Sequence, residues 1–247
     1  MEVKAEHIKP YDEQRAKTEQ VREMFDSIAP AYDWMNRAMT FGVDKLWRRR
    51  AVNIVSKDKP SRIIDIATGT GDLAIAMARK MAAAEITGID LSEGMVEIGR
   101  RKVAEAGLSE SVSLTTGDCL AMPFEEGSAD AITVAYGVRN FEHLDRGYSE
   151  MLRVLRPGGL LCVVELSTPV NPLVKPFYQL YTKGIIPVVG RMVSKDSRAY
   201  SYLPESIAAV PQGDDMLRLI SDAGFTDASF RRLTFGVCTI YTARRPS

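Results

Sequence analysis

Residues 63–72 read IIDIATGTGD, an apolar run that ends in an acid and then turns through two glycines. An amphipathic stretch opens behind them, so the segment predicts a strand, a tight loop and the start of a helix. Gly69 and Gly71 let the main chain approach a ligand because no Cβ stands in the way. This pattern is typical of the first unit of a nucleotide-binding α/β sheet.

A second strand, Ile86–Asp90, ends in an acid at the position where such sheets hold the two ribose hydroxyls of a nucleotide. Further strand patterns lie at residues 112–116, 131–136, 160–166, about 227–233 and 236–242. Helical patterns separate most of them. The alternation predicts an α/β fold with a seven-stranded, mainly parallel sheet that helices cover on both faces.

The length of 247 residues suits a single domain that spans residues 1–247. Residues 1–56 precede the first strand and are expected to form a helical cap that begins with a loose arm of about a dozen residues. Residues 168–211 interrupt the alternation with six of the twelve prolines and five aromatic residues. Because this insertion follows the fifth strand at the carboxyl edge of the sheet, we expect it to be a helical lid.

The composition narrows the class of partner. Acidic and basic residues balance at 32 each, which gives no electrostatic argument for nucleic acid. Three widely spaced cysteines and two histidines favour reduced thiols and no metal site. A charged N-terminus and short apolar runs predict neither a signal peptide nor a membrane span, hence a cytoplasmic protein. The basic cluster of Lys45 and Arg48–Arg50 leaves open a peripheral contact with an anionic membrane, and a homodimer also stays open.

The nucleotide can first be interpreted as a dinucleotide. Gly69, Gly71 and Ala74 satisfy the relaxed dinucleotide fingerprint, and Asp90 lies near the place where NAD requires an acid. An NAD(P)-dependent oxidoreductase is therefore the alternative from a different class.

Other acids favour a cationic ligand without phosphate. Asp65 lies four residues before the first glycine and Asp72 begins the helix, where both would weaken the binding of a pyrophosphate. Asp118 follows the third strand, where it can accept a hydrogen bond from an adenine amine. S-adenosylmethionine combines a sulfonium, an ammonium, a ribose diol and an adenine, so these acids suit it as the cofactor. Asp65 has an equally simple structural interpretation, in which it holds the loop.

Longer motifs resemble those of the ubiquinone/menaquinone biosynthesis C-methyltransferases, a family of class I S-adenosylmethionine-dependent methyltransferases. The matching stretches are FDSIAPAYDWMNRAMT at 25–40, YGVRN at 136–140, RVLRPGGL at 153–160 and ELS at 165–167. The resemblance covers nearly the whole chain and implies a Rossmann-like fold. Cys119 stands where the family commonly has Ala, so we expect only its backbone to serve the cofactor.

The resemblance also implies a reaction, the C-methylation of a polyprenylated quinol, demethylmenaquinol, to menaquinol. Methylation of a benzoquinol precursor of ubiquinone, or O- or N-methylation of another apolar small molecule, are the alternatives within the methyltransferases. The residues alone do not choose between the two quinone rings.

Catalytic residues are expected directly after the fourth strand. The resemblance implies that Arg139 and Asn140 handle the substrate oxygen. The alternative is that Arg139 pairs with Asp145 and that Asn140 caps the next helix. The resemblance also places Tyr32 in a block that closes over the cofactor, and Thr70 against the methionine part of the cofactor.

Overall fold

One seven-stranded sheet organises the chain in a computed structural model, which describes residues 3–185 and 197–247. The strands are β1 Arg62–Ile66, β2 Glu85–Asp90, β3 Val112–Thr116, β4 Ala129–Ala135, β5 Leu155–Leu166, β6 Thr226–Leu233 and β7 Cys238–Arg244. Their order across the sheet is β3-β2-β1-β4-β5-β7-β6. Only β7 runs antiparallel, between β5 and β6, so the prediction of a mainly parallel sheet is confirmed.

The order of the strands determines where a ligand can bind. From β1 the chain first builds outward through β2 to β3, and it then returns to add β4 on the other side of β1. Connections leave β1 and β4 in opposite directions, which opens a crevice at their carboxyl ends. The glycine loop after β1 and the residues after β4 therefore meet at one edge.

Helices cover both faces of this sheet. In chain order they are α1 Lys4–His7, α2 Lys17–Ile28, α3 Tyr32–Thr40, α4 Asp44–Val55, α5 Asp72–Lys80, α6 Glu93–Glu105, α7 Leu144–Val154, α8 Lys175–Leu180, α9 Ser197–Ala209 and α10 Asp214–Asp222. Successive side chains of β1 point to opposite faces. Ile63 accordingly packs with α4, α5 and α6, whereas Ile64 packs with α7 and α10.

Two predicted boundaries are wrong. The fifth strand begins at Leu155 instead of residue 160, and Pro157–Gly159 lie inside it instead of ending a helix. The pairing of β4 with β5 shifts register there, and Gly158 has a positive φ of 73°. A bulge accommodates both the proline and the glycine within a strand. The last strand begins two residues late because Thr234–Gly236 form a 3₁₀ turn.

The expected loose arm at the N-terminus is wrong as well. Val3 and Ala5 are buried, and the fully buried Lys17 fastens the arm to the loop after β4. Its ammonium donates hydrogen bonds to the carbonyl oxygens of Ala5 (2.6 Å), Arg139 (2.9 Å) and Phe141 (3.1 Å). An ammonium has three donors, so these three carbonyls satisfy it completely.

The expected lid, residues 168–211, contributes α8, a π-helical turn at Tyr181–Ile185 and α9. Residues 186–196 of that segment and the side chain of Tyr200 lie outside the part that the structure describes. Among the described helices, none combines the length and the apolar character that would be needed to cross a membrane.

Replacing Lys17 tests whether its three hydrogen bonds hold the N-terminal arm in place. Lys17→Met leaves three buried carbonyls without a donor, so we expect the free energy of unfolding to fall by about 3 kcal/mol. Lys4→Met, an exposed change in the same arm, should stay within about 0.5 kcal/mol of the wild type. Urea denaturation measures both. Equal stability of the two variants would mean that the arm is not held by Lys17.

Candidate active site

Two adjoining cavities lie at the carboxyl edge of the sheet. We call the first the acidic cleft; among its lining residues are Gly69, Asp90, Asp118 and Cys119. We call the second the apolar cavity; it has a volume of about 410 Å³ and aromatic and aliphatic side chains line most of it. A pocket of this size accommodates a small molecule.

Asp90 is fixed at the base of the acidic cleft by two backbone groups. The N–H of Gly69 donates to its Oδ2 (2.8 Å) and the N–H of Ser92 donates to its Oδ1 (2.9 Å). Burial raises the pKa of Asp90 above its ordinary value. Each carboxylate oxygen retains a lone pair beyond these bonds, so Asp90 can accept two more hydrogen bonds from a ligand.

Asp118 and Cys119 line the far side of the same cleft. Asp118 accepts a hydrogen bond from the N–H of Leu120 (2.8 Å), which fixes the turn after β3. Burial raises the pKa of the Cys119 thiol, so it stays protonated and neutral. Among the described residues, no group of three or more His, Cys, Asp or Glu side chains could hold a metal ion.

Asp65 lies behind the glycine loop and lines neither cavity. It is buried and accepts hydrogen bonds from the hydroxyls of Thr68 (2.6 Å) and Thr133 (2.5 Å). Burial raises the pKa of Asp65 to about 6. Its place fits the structural interpretation, because it ties the loop and β4 to the end of β1.

Thr70 and Gly71 also lie outside the lining of both cavities. The hydroxyl of Thr70 donates to Asp33 of α3 (2.6 Å) and accepts from Lys102 of α6 (3.0 Å). Gly71 has a φ of 76° and precedes α5, a conformation that favours glycine. Both residues therefore shape and anchor the loop.

Two cations partly neutralise the charge of Asp72, so it would repel a phosphate less than its position in the sequence indicates. It forms ion pairs with Lys102 (2.6 Å) and Arg48 (3.1 Å). Burial alone would raise the pKa of Asp72, but these two cations outweigh burial and lower it. Arg48 is itself buried, so of the basic cluster only Lys45, Arg49 and Arg50 are exposed.

Four side chains form a wall that the two cavities share. They are Phe25, Tyr32, Tyr136 and Asn140. The rings of Phe25 and Tyr32 meet edge to face at 6.0 Å. The structure thus brings Tyr32 and Asn140 together at the boundary between a polar cleft and an apolar cavity.

Arg139 pairs with Glu165 near the end of β5, so the alternative in which it pairs with Asp145 is wrong. Its Nη1 lies 2.8 Å from Oε1 of Glu165, and both side chains are buried. Burial alone would lower the pKa of Arg139, but the charge of Glu165 outweighs it and keeps the guanidinium charged.

Asn140 does not cap the next helix, whose N-cap position is His143. Its Oδ1 instead accepts a hydrogen bond from the hydroxyl of Tyr202 in α9 (3.1 Å). This bond fixes the amide orientation, and it leaves Nδ2 as the donor.

Two buried polar atoms in the wall of the apolar cavity are unsatisfied. The hydroxyl of Tyr136 and Nε of Arg139 have no hydrogen-bond partner within residues 3–185 and 197–247. Burial raises the pKa of Tyr136 well above its ordinary value, so the hydroxyl stays a donor. Buried donors without partners cost about 1–3 kcal/mol each, which makes them candidates to bind a ligand oxygen.

The sequence reasoning did not select Tyr136, Glu165 and Lys17 as site residues. Glu165 had a signal, because it is an acid at the end of the apolar run 160–164 and a buried charge needs a partner. Tyr136 belongs to the YGVRN stretch that resembles the family, but nothing in the sequence marks its hydroxyl as buried. Lys17 had no signal, since only the folded chain shows that it is buried.

The comparisons with known proteins agree with this geometry. The model of the ubiE/COQ5 methyltransferase family matches residues 13–245. The chain is 50% identical over 240 residues to the demethylmenaquinone methyltransferase of Bacteroides fragilis, which covers 97% of this chain and 98% of that protein. It is 42% identical to the ubiquinone/menaquinone biosynthesis C-methyltransferase UbiE of Geobacter sulfurreducens, covering 93% of this chain and 90% of that protein.

A solved structure supports the fold alone. An S-adenosylmethionine-dependent methyltransferase of Thermotoga maritima, described as a possible histamine N-methyltransferase, superposes with a TM-score of 0.63. The identity is 18%, and the match covers 90% of this chain and 99% of that one. The predicted Rossmann-like methyltransferase fold is confirmed.

Asp65 should make stability depend on pH. Its carboxyl titrates at 3.8 when unperturbed and at about 6 in the fold, so the folded state holds the extra proton between these values. The associated stability is complete below about pH 4 and is lost as the pH rises through about 6. Asp65→Asn lacks this titration. We therefore expect the free energy of unfolding of the wild type, relative to the variant, to fall by roughly 3 kcal/mol between about pH 4 and pH 7.

Urea denaturation of both proteins across this range measures the difference. A constant difference between wild type and Asp65→Asn would contradict the raised pKa.

Proposed function

Because the chain belongs to the ubiE/COQ5 methyltransferase family, we propose that it methylates a ring carbon of demethylmenaquinol to give menaquinol. S-adenosylmethionine is the methyl donor in this proposal. The name of the Bacteroides fragilis relative, at 50% identity over nearly the full length, supports the naphthoquinol ring over the benzoquinol ring.

The chemistry of the acidic cleft fits such a donor. Three acids, Asp90, Asp118 and Glu142, line it with a single arginine, Arg22. An excess of carboxylates attracts a sulfonium and an ammonium and would weaken the binding of a pyrophosphate. In this assignment Asp90 binds the ribose diol and Asp118 accepts a hydrogen bond from the adenine amine. Gly69 lets the backbone of the loop approach the donor closely. This disfavours the NAD-dependent oxidoreductase.

A single observation carries the choice of acceptor: the unsatisfied hydroxyl of Tyr136 and Nε of Arg139 in a mostly apolar cavity. A quinol is a flat apolar ring whose oxygens are suitable acceptors for such donors, so its chemistry fits this cavity. The cavity meets the cleft at the wall that contains Asn140 and Tyr32. The acceptor carbon can therefore approach the donor where the cavity and the cleft adjoin, beside these two residues.

The residues of this chain supply charge and position. Bound S-adenosylmethionine provides an electrophilic methyl group on sulfur. Arg139 stabilises the quinol oxygen as its proton leaves, because its guanidinium stays charged beside Glu165. The neighbouring ring carbon then forms a bond to the methyl carbon while the carbon–sulfur bond breaks. The ring carbon then loses its proton, which restores the aromatic ring, and the quinol oxygen takes a proton back. The products are menaquinol, S-adenosylhomocysteine and one net proton.

Asn140 and Tyr32 act on orientation. Tyr202 occupies Oδ1 of Asn140, and one hydrogen of Nδ2 makes a long bond of 3.5 Å to the carbonyl oxygen of Tyr136. The second hydrogen of Nδ2 can be donated to the substrate oxygen. Alignment of carbon, methyl and sulfur in one line is worth several kcal/mol. The apolar walls also favour a step in which the charge on sulfur disperses.

The cysteines are compatible with a cytoplasmic setting for this reaction. Cys119, Cys162 and Cys238 are all free thiols in the structure. Free thiols persist in a reducing compartment. We therefore propose a cytoplasmic location.

Asp90→Ala should weaken the binding of S-adenosylmethionine by more than about tenfold, because it removes two acceptors for the ribose diol. Isothermal calorimetry with S-adenosylhomocysteine measures the dissociation constant. Glu97→Ala, an exposed change of the same charge on α6, is the matched control and should bind normally. An unaltered constant in Asp90→Ala would remove Asp90 from the site.

Arg139→Ala should reduce kcat by about 10³-fold while the dissociation constant of the cofactor changes less than about threefold. The assay uses methyl-labelled S-adenosylmethionine and tail-less 1,4-naphthohydroquinone, and mass spectrometry locates the label on a ring carbon in the wild-type reaction. Loss of cofactor affinity with an unchanged rate in the remaining complex would contradict the assignment. Label on oxygen would contradict C-methylation.

Tyr136→Phe is the companion variant, because Arg139→Ala strands Glu165 and its effect includes a cost in folding. Removing the unsatisfied hydroxyl should leave the fold at least as stable as the wild type and should raise KM for the quinol. Arg139→Lys, which retains the charge beside Glu165, controls for folding.

A further inference from the structure

The mouth of the apolar cavity carries an unusual number of exposed apolar side chains. Six of them, with exposed fractions from 60% to 82%, form what we call the apolar rim: Phe41, Leu46, Val170, Leu173, Phe177 and Phe235. Phe41 and Phe177 also line the cavity itself. Scattered apolar residues are ordinary on a surface, but a group of large ones around one opening marks an interaction site.

The three chain segments that bear the rim are joined to one another. The rings of Phe41 and Tyr181 lie 6.2 Å apart, which brings the end of α3 to the segment that contains α8. The indole N–H of Trp47 donates to the hydroxyl of Thr234 (2.8 Å). The hydroxyl of Ser167 donates to the carbonyl oxygen of Gly236 (2.8 Å). The rim is therefore one surface.

The charges of these segments have one sign. Residues 34–50, 168–185 and 231–237 contain a single acid, Asp44, which is buried against Arg48 at 2.5 Å. Their exposed cations are Arg37, Lys45, Arg49, Arg50, Lys175, Arg231 and Arg232. Since the whole chain is neutral, this positive surface is a local feature. Apolar side chains flanked by cations match the interface of an anionic bilayer, where each cation near the surface contributes attraction.

We propose that the apolar rim inserts into the interface of an anionic lipid bilayer, so that the apolar cavity opens toward the acyl chains. The proposal rests on the proposed function, in which the acceptor bears a polyprenyl tail. A cavity of about 410 Å³ has room for the bicyclic ring and only the first part of such a tail. The rest of the tail leaves through the mouth, and a docked membrane keeps it out of water.

The first experiment measures binding to vesicles of phosphatidylcholine with phosphatidylglycerol, and to vesicles of phosphatidylcholine alone. The rim variant is Leu46→Gln/Leu173→Gln/Phe235→Asn, and none of these three residues lines either cavity. The charge variant is Lys45→Gln/Arg49→Gln. Its matched control, Arg79→Gln/Lys80→Gln, removes two exposed cations at the far end of α5.

We expect the wild type and the control to sediment with the anionic vesicles. The rim variant and the charge variant should each bind the anionic vesicles at least about tenfold more weakly than the wild type. Equal binding by all four proteins, or no binding by the wild type, would overturn the proposal. A wild-type dimer that the rim variant dissociates, without vesicle binding, would assign the rim to a second copy of the chain instead.

The second experiment separates this proposal from the reaction itself. The rim variant should methylate tail-less 1,4-naphthohydroquinone in solution at the wild-type rate. It should be about tenfold slower with long-tailed demethylmenaquinol presented in anionic vesicles. If the wild type does not methylate the tail-less quinol, the proposed function fails. Vesicle binding still tests independently whether the apolar rim binds the bilayer. Equal rates with the vesicle-borne substrate would contradict the role of the rim.

Discussion

The buried ion pair between Arg139 and Glu165 is the interaction on which the site depends. Burying two charges costs several kcal/mol per ion, and well-packed apolar residues could replace such a pair with little loss of stability. Arg139 nevertheless lines the apolar cavity, and its Nε has no partner among the described residues. A stability argument does not explain this arrangement. In the function that we propose, a cation directed at an oxygen of the quinol accounts for it.

The sheet and the N-terminal arm together hold this pair in position. Ala135 at the end of β4 pairs with Val164 of β5, so the turn after β4 and the carboxylate of Glu165 necessarily meet. The backbone of the turn is held from the other side by Lys17, which donates to the carbonyl oxygen of Arg139. A shift of either element would move the guanidinium relative to the acidic cleft. The N-terminal arm is thus part of the support of the site.

Sequence reasoning succeeded where the signal is local. The seven strands, the bend at Gly69 and the acid at Asp90 follow from patterns within a few residues, and the fold and the cleft could be predicted from them. Thr70 and Asp65 stand beside the same loop, yet their side chains turn toward α3 and β4 because those elements offer hydrogen-bond partners. Which way a side chain turns depends on neighbours that the local pattern does not contain.

Contacts between distant residues could not be predicted for the same reason. The alternative drawn from nearby residues gave Arg139 a partner six positions away, whereas the sheet supplies one that is 26 residues distant. Lys17 lies 122 residues from the carbonyl of Arg139, and no periodicity in the sequence connects them. The family resemblance named Arg139 and Asn140 but not the groups that hold them, because a motif records which residues recur and not what they touch.

Backbone strain at the same edge supports the functional interpretation. Ala67 after β1 and Tyr136 after β4 both have positive φ, 51° and 61°, although neither is glycine. Such conformations cost of order 1–3 kcal/mol each and persist only where the surroundings impose them. The two turns lie in close contact at Gly137, because a Cβ added at this residue would lie 2.5 Å from Cβ of Ala67. The two strained turns pack against each other and place the ring of Tyr136 in the wall between cleft and cavity. A fold selected for stability alone would relax both turns, and it would then lose the wall at which, in the proposed function, donor and acceptor meet.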